Sequence, residues 1–177
     1  TTEIYTLSLH DALPILAQKL KLSKYTIYEM IKRGDIPAHH IGRSIRISES
    51  QLSSYLMNAN KIENVFDGVI LQEGAHTFAV SKGVKVSVNT ELEGSVKFSV
   101  RPEDIILSTG KFVSSARNVF EGVVVDMMYD DRKAKLVLDI GFPLVVLITR
   151  QSMIEMDIKI GDRLYAIFKT MAVRVTK

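Results

Sequence analysis

The chain has 177 residues, of which 46% are hydrophobic and 24% are charged, with a formal net charge of +3. This length suffices for one large or two small domains with buried cores, and no apolar run approaches the roughly 18 residues of a membrane span. Cysteine is absent, which excludes disulfides, thiolate metal sites, iron–sulfur clusters and cysteine nucleophiles. We therefore expect a soluble, cytoplasmic protein.

The charge is concentrated in one part of the chain. Residues 16–60 carry seven Lys or Arg against three Asp or Glu, a local charge of +4, whereas residues 61–177 are nearly neutral. A basic module followed by a neutral one suggests that only the first module binds a polyanion.

The first fifteen residues, TTEIYTLSLHDALPI, contain no Lys or Arg, no continuous apolar core and no small-residue cleavage site. They therefore do not read as a signal peptide. They resemble the translation of a common short-read sequencing adapter, and Pro14 would stand in the first turn of a helix that starts at about Asp11. We expect residues 1–15 to be an assembly artefact and leave them out of the functional argument.

Two short helices are predicted next. Leu16, Ala17 and Leu20 share one face of the first helix, and only the three residues KLS separate it from the second. So short a connection is typical of a helix-turn-helix.

The second helix, residues 23–33, has clear boundaries. Ser23 is a good N-cap, and Gly34 is a suitable stop because it adopts a positive φ without strain. Ile27, Met30 and Ile31 repeat at helical spacing, which predicts that this face packs on a core.

After Gly34 the apolar pattern changes to a period of two. Residues 36–41 and 44–47 alternate around Gly42 and Arg43, which predicts a small β-hairpin or wing. Ser48 is then expected to cap another helix. The core-facing residues of that helix would be Leu52, Tyr55 and Leu56.

The sequence SKYTIYEMIKRGDIPA, followed by IGRSIRI, resembles the excisionase/MerR-like winged helix-turn-helix family over about residues 16–58. The resemblance implies that helix 23–33 lies in the DNA major groove, with outward side chains near its N-terminus at base edges. Basic side chains of the helix and wing would neutralise phosphates. The implied DNA-binding residues are Ser23, Lys24, Tyr25, Thr26, Tyr28, Lys32, Arg33, Arg43 and Arg46. The alternative is that these are solvated surface charges.

The remaining sequence contains an internal repeat. NVFDGVI at 64–70 recurs as NVFEGVV at 118–124, and VKFSVRPEDIIL at 96–107 aligns with LYAIFKTMAVRV at 164–175. The offset grows from 54 to 68 positions, so the second copy is about fourteen residues longer. We assign the excess to an inserted short helix at residues 152–157.

Most other segments of this module alternate like strands between turns. The predicted strands are 65–71, 77–80, 84–88, 96–100, 119–127, 134–139, 144–149, 164–168 and 172–175. Paired small OB-like barrels would close such short strands without leaving edges. The predicted fold class is therefore α+β, with a small, mainly α winged helix-turn-helix followed by a mainly β tandem OB-like barrel module. The predicted boundaries are 16–58 for the first domain, 59–63 for a linker, and 64–110 and 111–177 for the repeats.

Three stretches, SSARNVFEGVV, DIGFPLVVLITRQS and IGDRLYAIFKTMAV, resemble the molybdenum-pterin-binding (Mop/TOBE) family over about residues 63–177. The preceding VRPEDIIL looks like the tail of molybdate/tungstate transporter ATPases. The resemblance implies that the barrels bind molybdate or tungstate between neighbouring subunits. It also implies a homodimer or a larger homo-oligomer.

The chemistry of a tetrahedral dianion agrees with these motifs, since its oxygens only accept hydrogen bonds and are costly to dehydrate. Backbone N–H groups and hydroxyls at residues 114–117 can supply donors, and Lys169 adds a cation. The candidate oxyanion-binding residues are Ser114, Ser115, Ala116, Arg117, Lys169 and Thr170. In the first repeat Arg101 aligns with Lys169, but Pro102 replaces Thr170 and has no N–H, which makes that half-site doubtful. The alternative is that SSAR is an inter-repeat linker that binds nothing.

Catalytic and metal motifs are missing from the sequence. It contains no GxxxxGK[ST], HExxH or GxSxG, which are the usual marks of nucleotide, zinc-protease and esterase chemistry. His39 and His40 are adjacent in a predicted strand and would point to opposite faces, so they chelate poorly. Asp130 and Asp131 fit a solvated turn, and the pair at 103–104 is expected to be structural. We expect no enzyme activity, no cofactor and no metal cation.

The leading interpretation is a transcriptional regulator that binds double-stranded DNA through its winged module and senses molybdate or tungstate through its barrels. Two alternatives stay open. One is an oxyanion-binding storage or buffering protein, and the other is a regulatory subunit of a molybdate/tungstate transporter. None of these interpretations places the chain in a membrane.

Overall fold

The computed structural model describes residues 6–41, 44–48, 51, 52, 55 and 64–177. The chain divides into two compact units, one formed by residues 1–61 and 128–132 and the other by residues 62–127 and 133–177. Short helices in the first unit are followed by antiparallel sheets in the second, so the predicted fold class is confirmed. Every helix within the described ranges is too short or too polar to cross a membrane.

Among the described residues, the first unit contains a three-stranded antiparallel sheet, two helices and the start of a further helix after Ser48. Its elements are β1 (Thr6–Ser8), α1 (Leu9–Leu20), α2 (Lys24–Arg33), β2 (His39–Ile41) and β3 (Ser44–Ser48). β3 is the central strand, with β1 and β2 on its two sides. Residue His39 pairs with Arg46 and Ile41 pairs with Ser44, which confirms the predicted hairpin. Its tip, residues 42–43, lies outside the described residues.

The boundaries of α2 follow from its two caps, as predicted. The Ser23 hydroxyl accepts a 3.0 Å hydrogen bond from the Thr26 N–H, which satisfies one of the free donors of the first turn. Gly34 has a φ of 84° and donates to the Ile31 carbonyl at 3.0 Å. Ile27 and Ile31 are buried between these caps, so the helix is fixed by its ends and by one apolar face.

The first helix differs from the prediction. α1 starts at Leu9 instead of about Asp11, so that Pro14 lies in the second turn and not in the first. Because proline has no N–H, the His10 carbonyl loses its usual helical donor there. Ala12 is fully buried beside Leu16, and β1 pairs with β3. Residues 6–15 therefore contribute a strand and the first turns of α1 to this unit.

The predicted third helix begins with a reciprocal cap. The Ser48 hydroxyl accepts from the Gln51 N–H, and the Gln51 side-chain oxygen accepts from the Ser48 N–H, both at 3.1 Å. This arrangement is a capping box. Leu52 is buried and Tyr55 packs against the same core. Leu56 and the predicted linker at 59–63 lie outside the described residues.

The described residues of the second unit form ten strands. They are β4 (Asn64–Glu73), β5 (His76–Ser81), β6 (Val84–Ser87), β7 (Ser95–Val100), β8 (Ile106–Ser108), β9 (Asn118–Tyr129), β10 (Lys133–Asp139), β11 (Pro143–Thr149), β12 (Arg163–Phe168) and β13 (Arg174–Thr176). One helix, α3 (Arg150–Glu155), follows β11. Short 3₁₀ turns occur at Pro102–Asp104 and Thr170–Ala172.

The two repeats exchange their last strands. The first sheet has the order β13-β7-β4-β5-β6 and the second has the order β11-β10-β9-β12-β8. Thus β8, from the first repeat, pairs with β12 of the second, while β13, from the second repeat, pairs with β7 of the first. Each repeat therefore completes the sheet of the other.

Three details of the predicted β module need correction. β8 is absent from the predicted strands, because three residues are too few to show alternation. The last predicted strand, 172–175, is displaced, since Ala172 belongs to a 3₁₀ turn and β13 starts at Arg174. The inserted helix is α3 at Arg150–Glu155 instead of 152–157, because Thr149 caps it by accepting from the Ser152 N–H at 3.0 Å.

The core of this unit joins the repeats. One buried cluster draws on both of them and includes Phe98, Leu138, Leu144 and Phe168. Gly122, in the repeated NVF(D/E)G motif, lies where a Cβ would be 2.7 Å from Ile140 Cγ2 and 3.0 Å from the Asp139 carbonyl oxygen. The glycine is therefore required by a close approach of neighbouring chain segments.

Candidate functional site

The outward face of α2 carries the side chains that the sequence predicts for DNA contact. Tyr25 is 74% exposed and Tyr28 is 40% exposed, and Lys24 and Lys32 are exposed beside them. Ile27 and Ile31 of the same helix are buried. Burial of these two side chains anchors the helix on the core, while the lysine and tyrosine side chains are exposed to solvent.

Ser23 and Thr26 already have local partners. Their hydroxyl oxygens are 2.8 Å apart, and the Ser23 oxygen also accepts the capping bond from Thr26. Arg33 forms a 3.1 Å ion pair with Asp35. Ser23 and Thr26 therefore cap the N-terminus of α2, and Arg33 carries a paired charge at its C-terminus. Tyr25 and Tyr28 project from the helix.

The wing residues are described only in part. Arg46 is exposed on β3, opposite His39. Arg43 lies outside the described residues. Groups of three or more His, Cys, Asp or Glu that could hold a metal ion do not occur among the residues that the structure describes.

The second predicted site starts with the bend at residues 114–117. Ser114, Ser115 and Arg117 are exposed and Ala116 is half-buried. The Ser114 hydroxyl accepts a 3.2 Å hydrogen bond from the Ala116 N–H. This local turn leads directly into β9, so Arg117 stands immediately before the first strand residue, Asn118.

The structure brings the two predicted oxyanion motifs to the same end of one sheet. Asn118, at the start of β9, pairs with Phe168, at the end of β12. Because these strands are antiparallel, Arg117 and Lys169 leave them on the same side. Arg117 and Lys169 are 52 positions apart in sequence, and the pairing of β9 with β12 brings them to the same end of the sheet.

Sequence reasoning missed two residues that connect these motifs. Asn118 is 1% exposed; its side-chain oxygen accepts from the Ser87 N–H at 2.7 Å, and its amide donates to the Ser87 carbonyl at 3.0 Å. The Ser87 hydroxyl lies 3.0 Å from the Thr170 hydroxyl. Ser87 belongs to the first repeat, so this cluster is built from both repeats.

The equivalent position in the other repeat has the same backbone hydrogen bonds but different side chains. Asn64 holds Val145 through bonds of 2.7 and 2.8 Å to its N–H and carbonyl, as Asn118 holds Ser87. Val145 has no hydroxyl, however, and Pro102 stands where Thr170 stands. The residues that align with 115–117 are 61–63, which lie outside the described residues. The hydroxyl pair is thus present on one side of the pseudo-symmetric unit and replaced on the other.

Models of known protein families match separate N-terminal and C-terminal parts of the chain. Residues 16–60 match the family model of a helix-turn-helix domain, and residues 114–175 match that of the TOBE domain. The chain combines a helix-turn-helix domain with a TOBE domain. Both resemblances drawn from the sequence are therefore confirmed.

Two curated relatives match about 70% of this chain and are much longer proteins. The molybdate/tungstate import ATP-binding protein WtpC of Pyrococcus abyssi is 38% identical over 125 residues, which is 70% of this chain and 34% of that protein. WtpC of Pyrococcus horikoshii is 34% identical over 126 residues, which is 71% of this chain and 34% of that protein. This helix-turn-helix–TOBE chain therefore spans about a third of the length of these relatives.

A solved structure shares the fold of the β module. The cytoplasmic molybdate-binding protein ModG, crystallised with molybdate bound, superposes with a TM-score of 0.56 at 23% identity. The match covers 64% of this chain and 94% of ModG. The TOBE region and the repeat before it therefore have the tandem OB-like architecture that the sequence predicted.

Proposed function

We propose that this chain is a DNA-binding regulator that responds to molybdate or tungstate held by its tandem β module. The observation that carries the proposal is the union of two parts in one chain. One is a capped helix with an exposed basic and aromatic face, and the other is a module with the fold of a molybdate-binding protein. The names of the WtpC relatives point to the same pair of oxyanions.

The DNA-binding half of the proposal rests on α2. A helix that presents Lys and Tyr side chains on its solvent face, with its other face packed on a core, can enter the major groove of B-DNA. The local charge of +4 over residues 16–60 supplies the sequence-independent attraction to phosphates. A single such unit covers one half-site, so we propose that the protein acts as a homodimer or a larger homo-oligomer.

The oxyanion-binding half rests on the residues around the Asn118–Phe168 pair. Arg117 and Lys169 supply positive charge at the same end of the sheet, and Ser115 and Thr170, which are close to them in sequence, carry hydroxyl donors. Replacing the water of a dianion requires several such donors at once. We propose Ser114, Ser115, Ala116, Arg117, Lys169 and Thr170 as the residues that provide them.

Sequence-specific DNA binding by the full chain distinguishes this proposal from the two alternatives. We expect DNA fragments selected from a random pool by the full chain to share a common sequence, and Tyr28→Ala to weaken binding to that sequence more than to unrelated DNA. Lys82→Ala, an exposed lysine of the β5–β6 turn, is the matched surface control. Selection that yields no common sequence, while sodium molybdate still binds in calorimetry, would contradict the regulator and favour a storage or transporter role.

A further inference from the structure

Ser87 occupies an unusual position for a strand residue. It is the last residue of β6, at the edge of the first sheet, and both of its backbone polar groups are bound by the side chain of Asn118. Its hydroxyl is directed to a different residue, Thr170, at 3.0 Å. The backbone of Ser87 is therefore fixed while its side chain meets the proposed oxyanion motif.

We propose that Ser87 is itself an oxyanion-binding residue, so that the first repeat supplies a hydroxyl to the site that the second repeat otherwise builds. This inference rests on the proposed function of the β module. The ligand it would bind is a tetrahedral, doubly charged oxyanion, of which molybdate and tungstate are the two expected examples.

The hydroxyl pair explains how Ser87 can donate to such a ligand. Each hydroxyl carries one donor hydrogen, and the Ser87–Thr170 contact uses only one of the two. The second hydrogen is available to an oxyanion oxygen. The contact also orients both side chains before the ligand arrives, which reduces the ordering cost of binding.

Asn118 has a different role from Ser87. Its side-chain oxygen accepts from the Ser87 N–H and its amide donates to the Ser87 carbonyl, so it is a positioning residue and not a ligand residue. Arg117 directly precedes it, and Phe168, its strand partner, directly precedes Lys169. One buried side chain thus connects the hydroxyl of the first repeat to the basic residues of the second.

The pseudo-symmetric position supports one complete site per chain. Val145 takes the place of Ser87, with 4% of its surface exposed, and its backbone is held by Asn64 in the same way. Neither Val145 nor Pro102 has a hydroxyl. An asparagine side chain therefore binds a strand-edge backbone in both repeats, whereas the pair of hydroxyls occurs only once.

Calorimetric titration of the full chain with sodium molybdate and with sodium tungstate tests the inference. We expect Ser87→Ala to weaken binding roughly 10- to 100-fold, the usual range for losing a hydrogen bond to a charged group. Ser87→Thr, which keeps the hydroxyl, should retain most of the affinity. Ser81→Ala is the matched control, because Ser81 is a half-buried serine on β5 of the same hairpin, at the other end from Ser87.

Thermal unfolding of each variant keeps the result interpretable. Ser87→Ala should unfold close to the unchanged protein, because Asn118 binds only the backbone at this position. If the unchanged protein binds oxyanion and Ser87→Ala binds equally well, the role of Ser87 is wrong and the proposed function stands. If the unchanged, folded protein binds neither oxyanion, the proposed function itself fails and Ser87 has no role in it.

Discussion

Asn64 and Asn118 make equivalent pairs of hydrogen bonds between the two repeats: Asn64 of the first repeat binds the second, and Asn118 of the second repeat binds the first. Asn64 binds the backbone of Val145 at 2.7 and 2.8 Å, and Asn118 binds the backbone of Ser87 at 2.7 and 3.0 Å. Each side chain thereby occupies the edge of a sheet in the way that a neighbouring strand would. Together with the exchanged strands β8 and β13, these bonds make the repeats one structural unit.

We expect Asn64→Ala to lower the free energy of unfolding of the β module by about 2–6 kcal/mol. The loss would leave the N–H and carbonyl of the buried Val145 unsatisfied, at about 1–3 kcal/mol for each group. Asn118→Ala should cost less, because Ser87 is only half-buried and water can replace part of the bonding. Urea unfolding, followed by the circular dichroism of the β module, measures both changes.

Asn89→Ala provides the control for these two variants. Asn89 is exposed, and its side-chain amide donates a weak hydrogen bond to the Met171 sulfur at 3.6 Å, so its loss should change the stability by no more than about 0.5 kcal/mol. Equal stability of Asn64→Ala and Asn89→Ala would contradict the stabilising role given to the bonds between Asn64 and the Val145 backbone.

We expect deletion of residues 174–177 to affect the first repeat, although they belong to the second in sequence. β13 pairs with β7 through Arg174–Ser99 and Thr176–Lys97, so its removal exposes the edge of β7. Hydrogen exchange should become faster in β7 and stay largely unchanged in β12. Deletion of Lys177 alone, which lies outside β13, is the control. Faster exchange in β12 than in β7 would show that the strands are not exchanged.

The amino-acid sequence determines the local elements more clearly than their partners. Ser23 and Gly34 bound α2 as predicted, because capping depends on the chemistry of single residues close in sequence. The repeat of NVFDGVI as NVFEGVV likewise identified β4 and β9. These signals are local, and they required no knowledge of the rest of the chain.

The strand exchange and the connection through Ser87 could not be predicted in the same way. Alternation at residues 84–88 indicates a strand, but it does not say which side chain will bind its edge. Asn118 could be read only as a strand start, since its partner lies 31 positions away in the other repeat. The site motifs at 114–117 and 169–170 were identified by resemblance, whereas their joining residue required the tertiary structure.

We expect Gly122→Ala to destabilise the β module by about 1–3 kcal/mol, the usual cost of overpacking a core. The added Cβ would lie 3.0 Å from the Asp139 carbonyl oxygen, which is backbone and cannot rotate away. Gly110→Ala is the matched control, since a Cβ there meets no heavy atom of the described residues within 4 Å. Comparable urea midpoints for the two variants would contradict this packing argument.

We expect Lys169→Ala to weaken molybdate binding roughly 10- to 100-fold, because it removes a charge-assisted hydrogen bond worth about 1.5–3 kcal/mol. Arg101→Ala should change the affinity much less, because Pro102 and Val145 replace the hydroxyls at the equivalent place. Calorimetric titration of the full chain measures both. Equal losses would indicate two working sites per chain, and no loss in either would reduce the two motifs to a structural role.

The most direct test of the account is the affinity of the full chain for its selected DNA sequence, with and without saturating sodium molybdate. Fluorescence anisotropy at one fixed salt concentration gives both dissociation constants, since the phosphate contribution then cancels. A coupled regulator should show a change of at least about 5-fold, and Lys169→Ala should lose that change while still binding the DNA. Identical dissociation constants with and without molybdate, in a protein that calorimetry shows to bind it, would contradict the account.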